Sequence, residues 1–274
     1  MAIFDERVLA TLADGSRREE FRSAEPSRHV VIDGLFDDAV LREVVRDFPA
    51  PDAPFWRRTN EARAEIKLAT RRAVGIPESA MRLIQALNSP RFVEALAATT
   101  GVDGLIVDPA LDGGGLHQIE RGGRLAIHRD FMDHPIMHVD RRLNVIVYLN
   151  EGWREEWGGA LELWDRDLRR CERRIAPLFN RTVVFLTTDY SYHGHPDPLD
   201  CPPGVTRKSV ALYYYTNGRP DDEVSPENRS RGGRYLRRPG DRWTPTDLAR
   251  ALTPPLLYDA ARWLYLWLKR RRSL

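Results

Sequence analysis

The sequence lacks several features that would assign the chain to a simple class. Its two cysteines, Cys171 and Cys201, cannot form a disulfide framework and do not make the CxxC pair typical of zinc sites. No stretch reaches the roughly 18 apolar residues that a membrane span requires, and no basic segment followed by an apolar run stands at the N-terminus. We therefore expect a protein of the reducing cytoplasm.

Charge of one sign is also missing. The 42 Lys and Arg residues are balanced by 40 Asp and Glu residues, so the formal net charge is only +2. The arginines are spread along the chain, with a cluster at its end, and a field of this size does not predict a nucleic-acid partner. A chain of 274 residues can bury one sizeable core, and we predict a single domain over residues 1–274.

Four regions follow one another within this predicted domain. They are a helical N-terminal support region at 1–115, a β core at 116–216, a polar loop at 217–253 and a C-terminal helix at 254–274. In the first region, Asp37 begins a helical pattern that Pro77 to Thr99 repeat, and His29 to Asp33 are a strand candidate. The polar loop is rich in charge, Gly and Pro.

The β core consists of short runs of β-branched and aromatic residues, separated by Gly, Pro, Asn and Asp. The runs predict strands near 116–120, 124–130, 142–149, 160–164, 173–178, 181–187, 191–195 and 208–216. About eight short antiparallel strands are typical of the double-stranded β-helix, the jelly roll found in cupins. The predicted fold class is therefore mainly β with helical additions.

Two strand candidates carry the residues of a metal centre. His128 and Asp130 are two positions apart, so their side chains leave one strand on the same face. His193, 63 positions later, can add a second imidazole from a facing strand. Two imidazoles and a carboxylate leave adjacent positions open on an octahedral ion, as in non-haem iron(II) oxygenases. Catalytic zinc usually keeps a tetrahedral site, and an HxD pair by itself is common by chance.

Arg207 begins an apolar strand shortly after His193, which puts a permanent cation inside the same predicted barrel. A buried guanidinium requires an anion, and its planar fork matches a carboxylate. 2-Oxoglutarate offers a carboxylate at one end and an iron-chelating keto acid at the other. The residues therefore predict an iron centre with 2-oxoglutarate as co-substrate.

Several longer motifs occur in a characteristic order between residues 28 and 218. They are HVVIDGLF, GGGLHQIERGGRLAIHRDF, RRLNVIVYLNEGW, WGGALELWDRD and YHGHPDPLDCPPGVTRKSVALYYYTNGRP. Over this span the chain resembles the iron(II)/2-oxoglutarate oxygenases of the prolyl 4-hydroxylase type, in their bacterial branch. The resemblance implies iron(II) held by His128, Asp130 and His193, 2-oxoglutarate held by Arg207, and ascorbate as a supporting reductant.

The same resemblance makes three further residues candidates for contact with the co-substrate. Gln118 is nearest to the position where the family has a residue with an aromatic or polar head, Asn144 stands where relatives often have threonine, and Ser209 completes an RxS element. His195 is an alternative to His193 as the distal ligand, because His193-Gly194-His195 puts both imidazoles on one strand face. Alignment of the motifs favours His193.

The predicted reaction consumes O2 and 2-oxoglutarate and hydroxylates an unactivated C–H bond of a small molecule or of an amino-acid or sugar moiety. Succinate and CO2 are the by-products implied by the resemblance. A non-catalytic cupin-like metal-binding protein is the first alternative, but it would not need Arg207. A hydrolase is the second, and it would need a general base such as Glu162 on the inner face of its strand.

The last predicted element is the C-terminal helix at 254–274. An apolar side and a basic end, Lys269 to Arg272, favour a helix packed on the barrel with its cations at the negative end of the dipole. Trp263, Tyr265 and Trp267 beside this basic end also suit a membrane surface. A weak membrane contact is therefore the second interpretation of this helix.

Overall fold

The computed structural model describes residues 2–61, 65–70, 73–224, 233–236 and 238–239. The chain divides after Arg237 into two units, and every element named below belongs to the first. The predicted C-terminal helix at 254–274 and most of the predicted polar loop lie outside the described residues. Among the helices that are described, none combines the length and apolar character needed to cross a bilayer.

Five α-helices in the described residues all precede the β core along the chain. They span Glu6–Ala13 (α1), Arg18–Ser23 (α2), Asp38–Arg46 (α3), Glu78–Leu87 (α4) and Pro90–Thr100 (α5). Asp37 caps α3 by accepting a hydrogen bond from the Ala39 N–H, as its acidic start predicts. The helical pattern from Pro77 to Thr99 is divided between two helices, because Ser89 caps a new helix that has Pro90 in its first turn.

The β-strands pair antiparallel in a curled half-barrel, the double-stranded β-helix that the strand pattern predicted. In chain order they are His29–Asp33 (β1), Trp56–Glu61 (β2), Glu65–Thr70 (β3), Ile106–Val107 (β4), Gly115–Ile119 (β5), Arg124–Arg129 (β6), Asp140–Tyr148 (β7), Leu161–Trp164 (β8), Cys171–Ile175 (β9), Arg181–Leu186 (β10), His193–His195 (β11), Arg207–Thr216 (β12) and Arg234–Tyr235 (β13). Neighbours follow the order β1-β10-β7-β12-β5-β3-β6-β11-β8-β9. Each of the eight strands predicted for the core has its counterpart among β5 to β12.

Two regions differ from the sequence-based expectation. β2 and β3 form a hairpin inside the region expected to be mainly helical, and β3 joins β5 to β6. The hairpin is rich in charged residues and has no clean apolar alternation, so it carries little strand signal. β13 lies inside the predicted polar loop and pairs with β6, and two residues are too few to show any period.

The two faces of β7 have different tasks. Leu143, Val145 and Val147 belong to the apolar core that the sheet shares with the helices, while Asn144 and Tyr148 line a cavity inside the barrel. Strand alternation produces this division, because successive side chains point to opposite faces. The helical layer therefore supports the sheet from outside and leaves its inner face to the functional site.

A β-bulge interrupts this alternation near the start of β7. Tyr214 of β12 lies opposite Leu143, but the next residue, Tyr215, lies opposite Arg141. Arg142 is therefore an extra residue in β7. As a result Arg141 and Asn144, which strict alternation would put on opposite faces, both line the cavity.

Candidate active site

The three predicted metal ligands converge at one end of the barrel. His128 lies in β6, Asp130 follows the end of that strand, and His193 lies directly opposite His128 in β11. Nε2 of His128 is 3.5 Å from Oδ1 of Asp130, and Nε2 of His193 is 3.4 Å from Oδ2. Ligand atoms at right angles around one ion lie about 3 Å apart, so this spacing fits a single metal.

Both imidazoles are held with Nε2 free for a metal. Nδ1 of His128 lies 2.9 Å from the Ala126 carbonyl oxygen, and Nδ1 of His193 lies 2.9 Å from that of Ser191. Because a carbonyl can only accept, Nδ1 carries the proton and Nε2 keeps its lone pair. Burial, together with the neighbouring His128, lowers the pKa of His193 to about 4, so this ligand is neutral at neutral pH.

Asp130 is held as a carboxylate by two buried neighbours. Arg141 Nη2 and Asn144 Nδ2 donate to its Oδ2 at 2.8 and 2.7 Å. Burial alone would raise the pKa of Asp130, but the Arg141 cation and the two imidazoles hold it well below its ordinary value. Two imidazoles that direct Nε2 towards one point, together with an ionised carboxylate, are a donor set that suits a divalent ion.

Arg141 is the functional residue that the sequence analysis missed. Its guanidinium is almost fully buried and lies 3.4 Å from the centre of the Tyr213 ring and 4.5 Å from that of Phe131. The bulge at Arg142 brings it to the cavity face, and no motif in the sequence marks such a bulge. Its pair with Asp130 fixes the position of a metal ligand.

Asn144 supports a metal ligand. Its Nδ2 donates to Asp130, and its Oδ1 accepts from Arg141 Nε at 2.9 Å. Asn144 therefore orients the Asp130 carboxylate, and its contact with the co-substrate stays a prediction. The side chain still lines the cavity.

The inner cavity, of about 100 Å³, extends from the triad to Arg207. We call the end formed by His128, Asp130, His193, Arg141 and Asn144 the metal end. The opposite end, which we call the Arg207 end, is formed by Arg207, Tyr148, His195 and Ser209. Ile119, Ile146 and Leu161 give the cavity apolar walls.

Arg207 is buried at its end of the cavity without an acidic partner. Nε donates to the Gly159 carbonyl oxygen at 2.7 Å and Nη2 to the Tyr148 hydroxyl at 3.2 Å. Among the described residues, no carboxylate forms an ion pair with it, and burial lowers its pKa. A buried guanidinium with spare donors fits the far carboxylate of 2-oxoglutarate.

Tyr148 supplies the aromatic residue that was expected near the co-substrate, but from β7. It lies under the Arg207 guanidinium, 4.9 Å from the ring centre to Cζ. Gln118 was predicted for this role, and the structure corrects that prediction. On β5 the cavity is lined by His117 and Ile119, whereas Gln118, between them, donates to Thr206 Oγ1 at 2.8 Å. The register of β5 thus directs the Gln118 side chain away from the cavity.

His193, and not its competitor, completes the triad. The group whose ligand atoms lie within 4.8 Å of one another comprises His128, Asp130 and His193. His195 also lines the inner cavity, two residues further along β11. The predicted contact of Ser209 is compatible with its position on the cavity face of β12, two residues from Arg207.

Glu162 points away from the barrel interior. Leu161 and Leu163 belong to the apolar cluster inside the barrel, while Glu162 accepts from Trp164 Nε1 at 2.9 Å and pairs with Arg174 at 3.1 Å. The general base that a hydrolase would need is therefore absent from this position.

A second, outer cavity of about 300 Å³ is bordered by His128 and Asp130 of the triad. Its aromatic lining comprises Phe131, Tyr213 and Tyr235, and Arg57 and Lys67 add cations. The Tyr235 ring centre is 5.6 Å from that of His128, and its hydroxyl donates to Glu65 Oε2 at 3.1 Å. The strand β13 therefore borders the metal end.

Comparison with known proteins agrees with this geometry. Residues 114–215 match the family model described as the 2OG-Fe(II) oxygenase superfamily. Prolyl 3-hydroxylase OGFOD1 of Mus musculus is 25% identical over 140 residues, which are 48% of this chain and 23% of that protein. The chain thus matches about a quarter of the length of this curated relative.

Two solved structures share the fold. A Pseudomonas putida prolyl-4-hydroxylase aligns with a TM-score of 0.52 and 18% identity over 76% of this chain and 100% of its own. A prolyl 4-hydroxylase from Phytophthora capsici aligns with a TM-score of 0.52 and 22% identity over 89% of this chain and 72% of its own. At these identities the alignments establish a common fold.

Proposed function

We propose that the chain, whose residues 114–215 belong to the 2OG-Fe(II) oxygenase superfamily, is an iron(II)- and 2-oxoglutarate-dependent hydroxylase. The observation that carries the proposal is the buried Arg207, which has no acidic partner among the described residues and shares a cavity with the triad. A protein that only stores or senses a metal gains nothing from such a cation. A dicarboxylate that bridges the two ends of the cavity uses both features.

The residues of the metal end would hold the iron through His128 Nε2, His193 Nε2 and the Asp130 carboxylate. When bound, iron supplies the oxidation in which O2 and 2-oxoglutarate yield succinate, CO2 and one hydroxyl oxygen for the substrate. Arg141 and Asn144 keep the Asp130 carboxylate in place and ionised. The Nδ1 atoms of both imidazoles donate to backbone carbonyls, which orients the rings and leaves Nε2 to bind the ion.

The Arg207 end would bind and orient the co-substrate. The guanidinium fork offers a charge-assisted contact to the far carboxylate, and the Tyr148 hydroxyl lies beside it. Apolar walls from Ile119, Ile146 and Leu161 keep water away from the carbon chain between the two carboxylates. With one end fixed, the keto acid can reach the metal in a single orientation.

We further propose that the substrate is a small molecule or a single amino-acid or sugar moiety of a larger one. The outer cavity supports this size, and its Phe131, Tyr213 and Tyr235 rings suit a compact ring. The named relatives are prolyl hydroxylases, so prolyl peptides belong in the first set of candidates. Release of succinate above the substrate-free rate would identify the substrate.

The test is a titration of the protein with 2-oxoglutarate in the presence of iron(II) without oxygen. Wild type should develop a weak visible metal-to-ligand charge-transfer band as the keto acid chelates the metal. Arg207→Ala should need about 30-fold more 2-oxoglutarate, because a charge-assisted contact contributes about 2 kcal/mol. Wild type without the band, or without succinate release in air, would contradict the proposal.

Two control variants test whether the loss of affinity comes from the contact between Arg207 and the carboxylate. Arg207→Lys retains the charge but loses the fork, so its 2-oxoglutarate affinity should lie between those of wild type and Arg207→Ala. Arg46→Ala removes a 71% exposed arginine paired with Asp47 and should leave the titration unchanged. If all three variants weaken binding equally, the effect does not come from the carboxylate contact.

A further inference from the structure

His195 is a buried imidazole without a hydrogen-bond partner. Its residue surface is 4% exposed, and neither Nδ1 nor Nε2 bonds to any described residue. The other three imidazoles of the inner cavity are each bonded to a backbone carbonyl, His128 to Ala126, His193 to Ser191 and His117 to Gly113. Buried polar groups almost always have a partner, so the missing one at His195 requires an explanation.

The position of His195 points to the Arg207 end. It lies on the same face of β11 as His193, but the strand pairing is irregular, and His195 is opposite Leu125. Gly194 permits this close approach of β11 to β6, because a Cβ there would lie 2.7 Å from the Leu125 carbonyl oxygen. The antiparallel pairing of β11 with β8 continues from Gly194 towards Gly159, whose carbonyl oxygen accepts from Arg207 Nε.

The chemistry around His195 specifies what its partner must be. The Arg207 end presents a guanidinium, the hydroxyls of Tyr148 and Ser209, and an imidazole that can donate one N–H. No carboxylate from the described residues lines this end of the cavity. A cluster of donors without a carboxylate is complementary to an anion.

We propose that His195 donates a hydrogen bond to the same ligand carboxylate that Arg207 binds, and is thus a further recognition residue for a dicarboxylate co-substrate. This inference rests on the proposed function. It assigns to His195 a task at the end of the cavity remote from the metal, although its neighbour His193 is a metal ligand. Recognition by both residues would favour a 2-oxo acid with a second carboxylate over one without it.

The experiment compares two ligands and two variants in the full chain with iron(II) and without oxygen. The ligands are 2-oxoglutarate and pyruvate, a 2-oxo acid that lacks the far carboxylate. His195→Leu should weaken 2-oxoglutarate about tenfold, because one hydrogen bond to a charged group is lost. His195→Gln, which restores a donor, should recover most of that affinity, and pyruvate affinity should stay within about twofold in both variants.

Stability of the metal-free protein is the second measurement. His195→Leu should unfold at the same or a higher urea concentration than wild type, because leucine removes two buried nitrogens that have no protein partner. His117→Leu is the matched control, since that buried imidazole does have a protein partner, the Gly113 carbonyl oxygen at 3.2 Å. This control should unfold at a lower urea concentration than wild type.

Other results would overturn either the role of His195 alone or the proposed function as a whole. Equal loss of affinity for both ligands would mean that His195 acts through the metal, and unchanged 2-oxoglutarate affinity with lower stability would mean that an internal water satisfies it. Either result overturns the inference while the proposed function stands. Wild type that binds no 2-oxoglutarate at all would overturn the proposed function, and the role of His195 with it.

Discussion

The two ends of the inner cavity differ in how completely the protein satisfies its own polar groups. At the metal end, Asp130 accepts from Arg141 and Asn144, and Asn144 in turn accepts from Arg141. At the Arg207 end, the described residues give the guanidinium only the Gly159 carbonyl and the Tyr148 hydroxyl as partners, and they give His195 none.

A metal site and an anion site differ in which hydrogen bonds the protein must form before the ligand binds. A metal ligand must be in place, and in the right charge state, before the ion arrives, so the protein supplies the supporting hydrogen bonds itself. An anion site must keep its donors unpaired, because a partner built into the protein would compete with the ligand. Within this cavity, groups with unused donors therefore mark the proposed ligand contacts, and groups with complete networks mark support.

Arg141→Met removes the main support of the metal end and is expected to have the largest effect. Asp130 then keeps a buried charge without its cation, which should cost the metal-free protein about 3–5 kcal/mol of unfolding free energy. Iron affinity should fall by about 10- to 100-fold. Urea unfolding and competition with a metal chelator measure the two quantities.

Arg181→Met is the matched control for this prediction. Arg181 pairs with Asp33 at 2.7 Å, but the Asp33 side chain is 62% exposed. An exposed pair contributes about 1 kcal/mol or less, and neither Arg181 nor Asp33 lines the metal end, so iron affinity should not change. An Arg141→Met protein that matches this control in both measurements would show that the metal end does not depend on its network.

A smaller effect is expected at the Arg207 end from Gly159→Ala. Gly159 has φ +73°, and a Cβ there would lie 3.0 Å from Arg207 Cδ and 2.6 Å from Leu199 Cδ2. The unfolding free energy should fall by about 1–3 kcal/mol. Displacement of the guanidinium should weaken 2-oxoglutarate binding by about fivefold at unchanged iron affinity, a roughly 1 kcal/mol loss.

Gly158→Ala distinguishes the backbone strain of an alanine with positive φ from displacement of the Arg207 side chain. Gly158 has nearly the same φ, +72°, but a Cβ there would meet only the Pro198 carbonyl oxygen, at 4.0 Å. This variant should carry the backbone cost of about 1–2 kcal/mol and retain wild-type 2-oxoglutarate affinity. Equal affinities for 2-oxoglutarate in the two variants would argue against a role of Gly159 in positioning Arg207.

The smallest effect concerns a buried imidazole outside the cavity. Nδ1 of His29 is 2.7 Å from the Ser27 carbonyl oxygen, and burial lowers the pKa of His29. Since the folded pKa lies below the unfolded value of about 6.5, the contribution to stability is complete above pH 6.5 and is lost as the pH falls toward the folded pKa. His29→Leu should reduce that loss by at most about 1.4 kcal/mol per pH unit.

Urea unfolding of the metal-free protein at pH 7 and pH 5.5 measures this difference. His138→Asn is the control, because His138 is exposed and its φ of 54° is tolerated by asparagine. The control should keep the wild-type difference between the two pH values. An unchanged difference in His29→Leu would mean that His29 takes up its proton equally well in the folded and unfolded protein.

Much of the fold and the metal triad was predictable from local signals. Alternation of apolar and polar residues marks the core strands, and an HxD pair followed by a distant histidine has few other uses beside a buried arginine. Hydrogen bonds of β6 and β11 then bring His128 opposite His193. These features depend on residue type and spacing, which the sequence contains.

The features that could not be predicted from the sequence depend on the register in which the strands pair. Gln118 and His117 are neighbours in β5, and only the pairing of the strand decides which of them faces the cavity. Tyr148 lies in an apolar run and resembles a core residue until β12 brings Arg207 beside it. The polar β2–β3 hairpin is attached to the sheet only through β3, which pairs with β5 and β6 at two positions each, so its place in the sheet depends on distant strands.

The bulge at Arg142 makes the chemistry of the metal end depend on the length of a strand as well as on its composition. A chain that lost this single residue would still contain His128, Asp130, His193 and Arg207. Its Arg141 side chain, however, would turn towards the helices, and Asp130 would lose its cation. Sequence changes that alter the phase of β7 can therefore inactivate the centre without touching any residue that contacts iron.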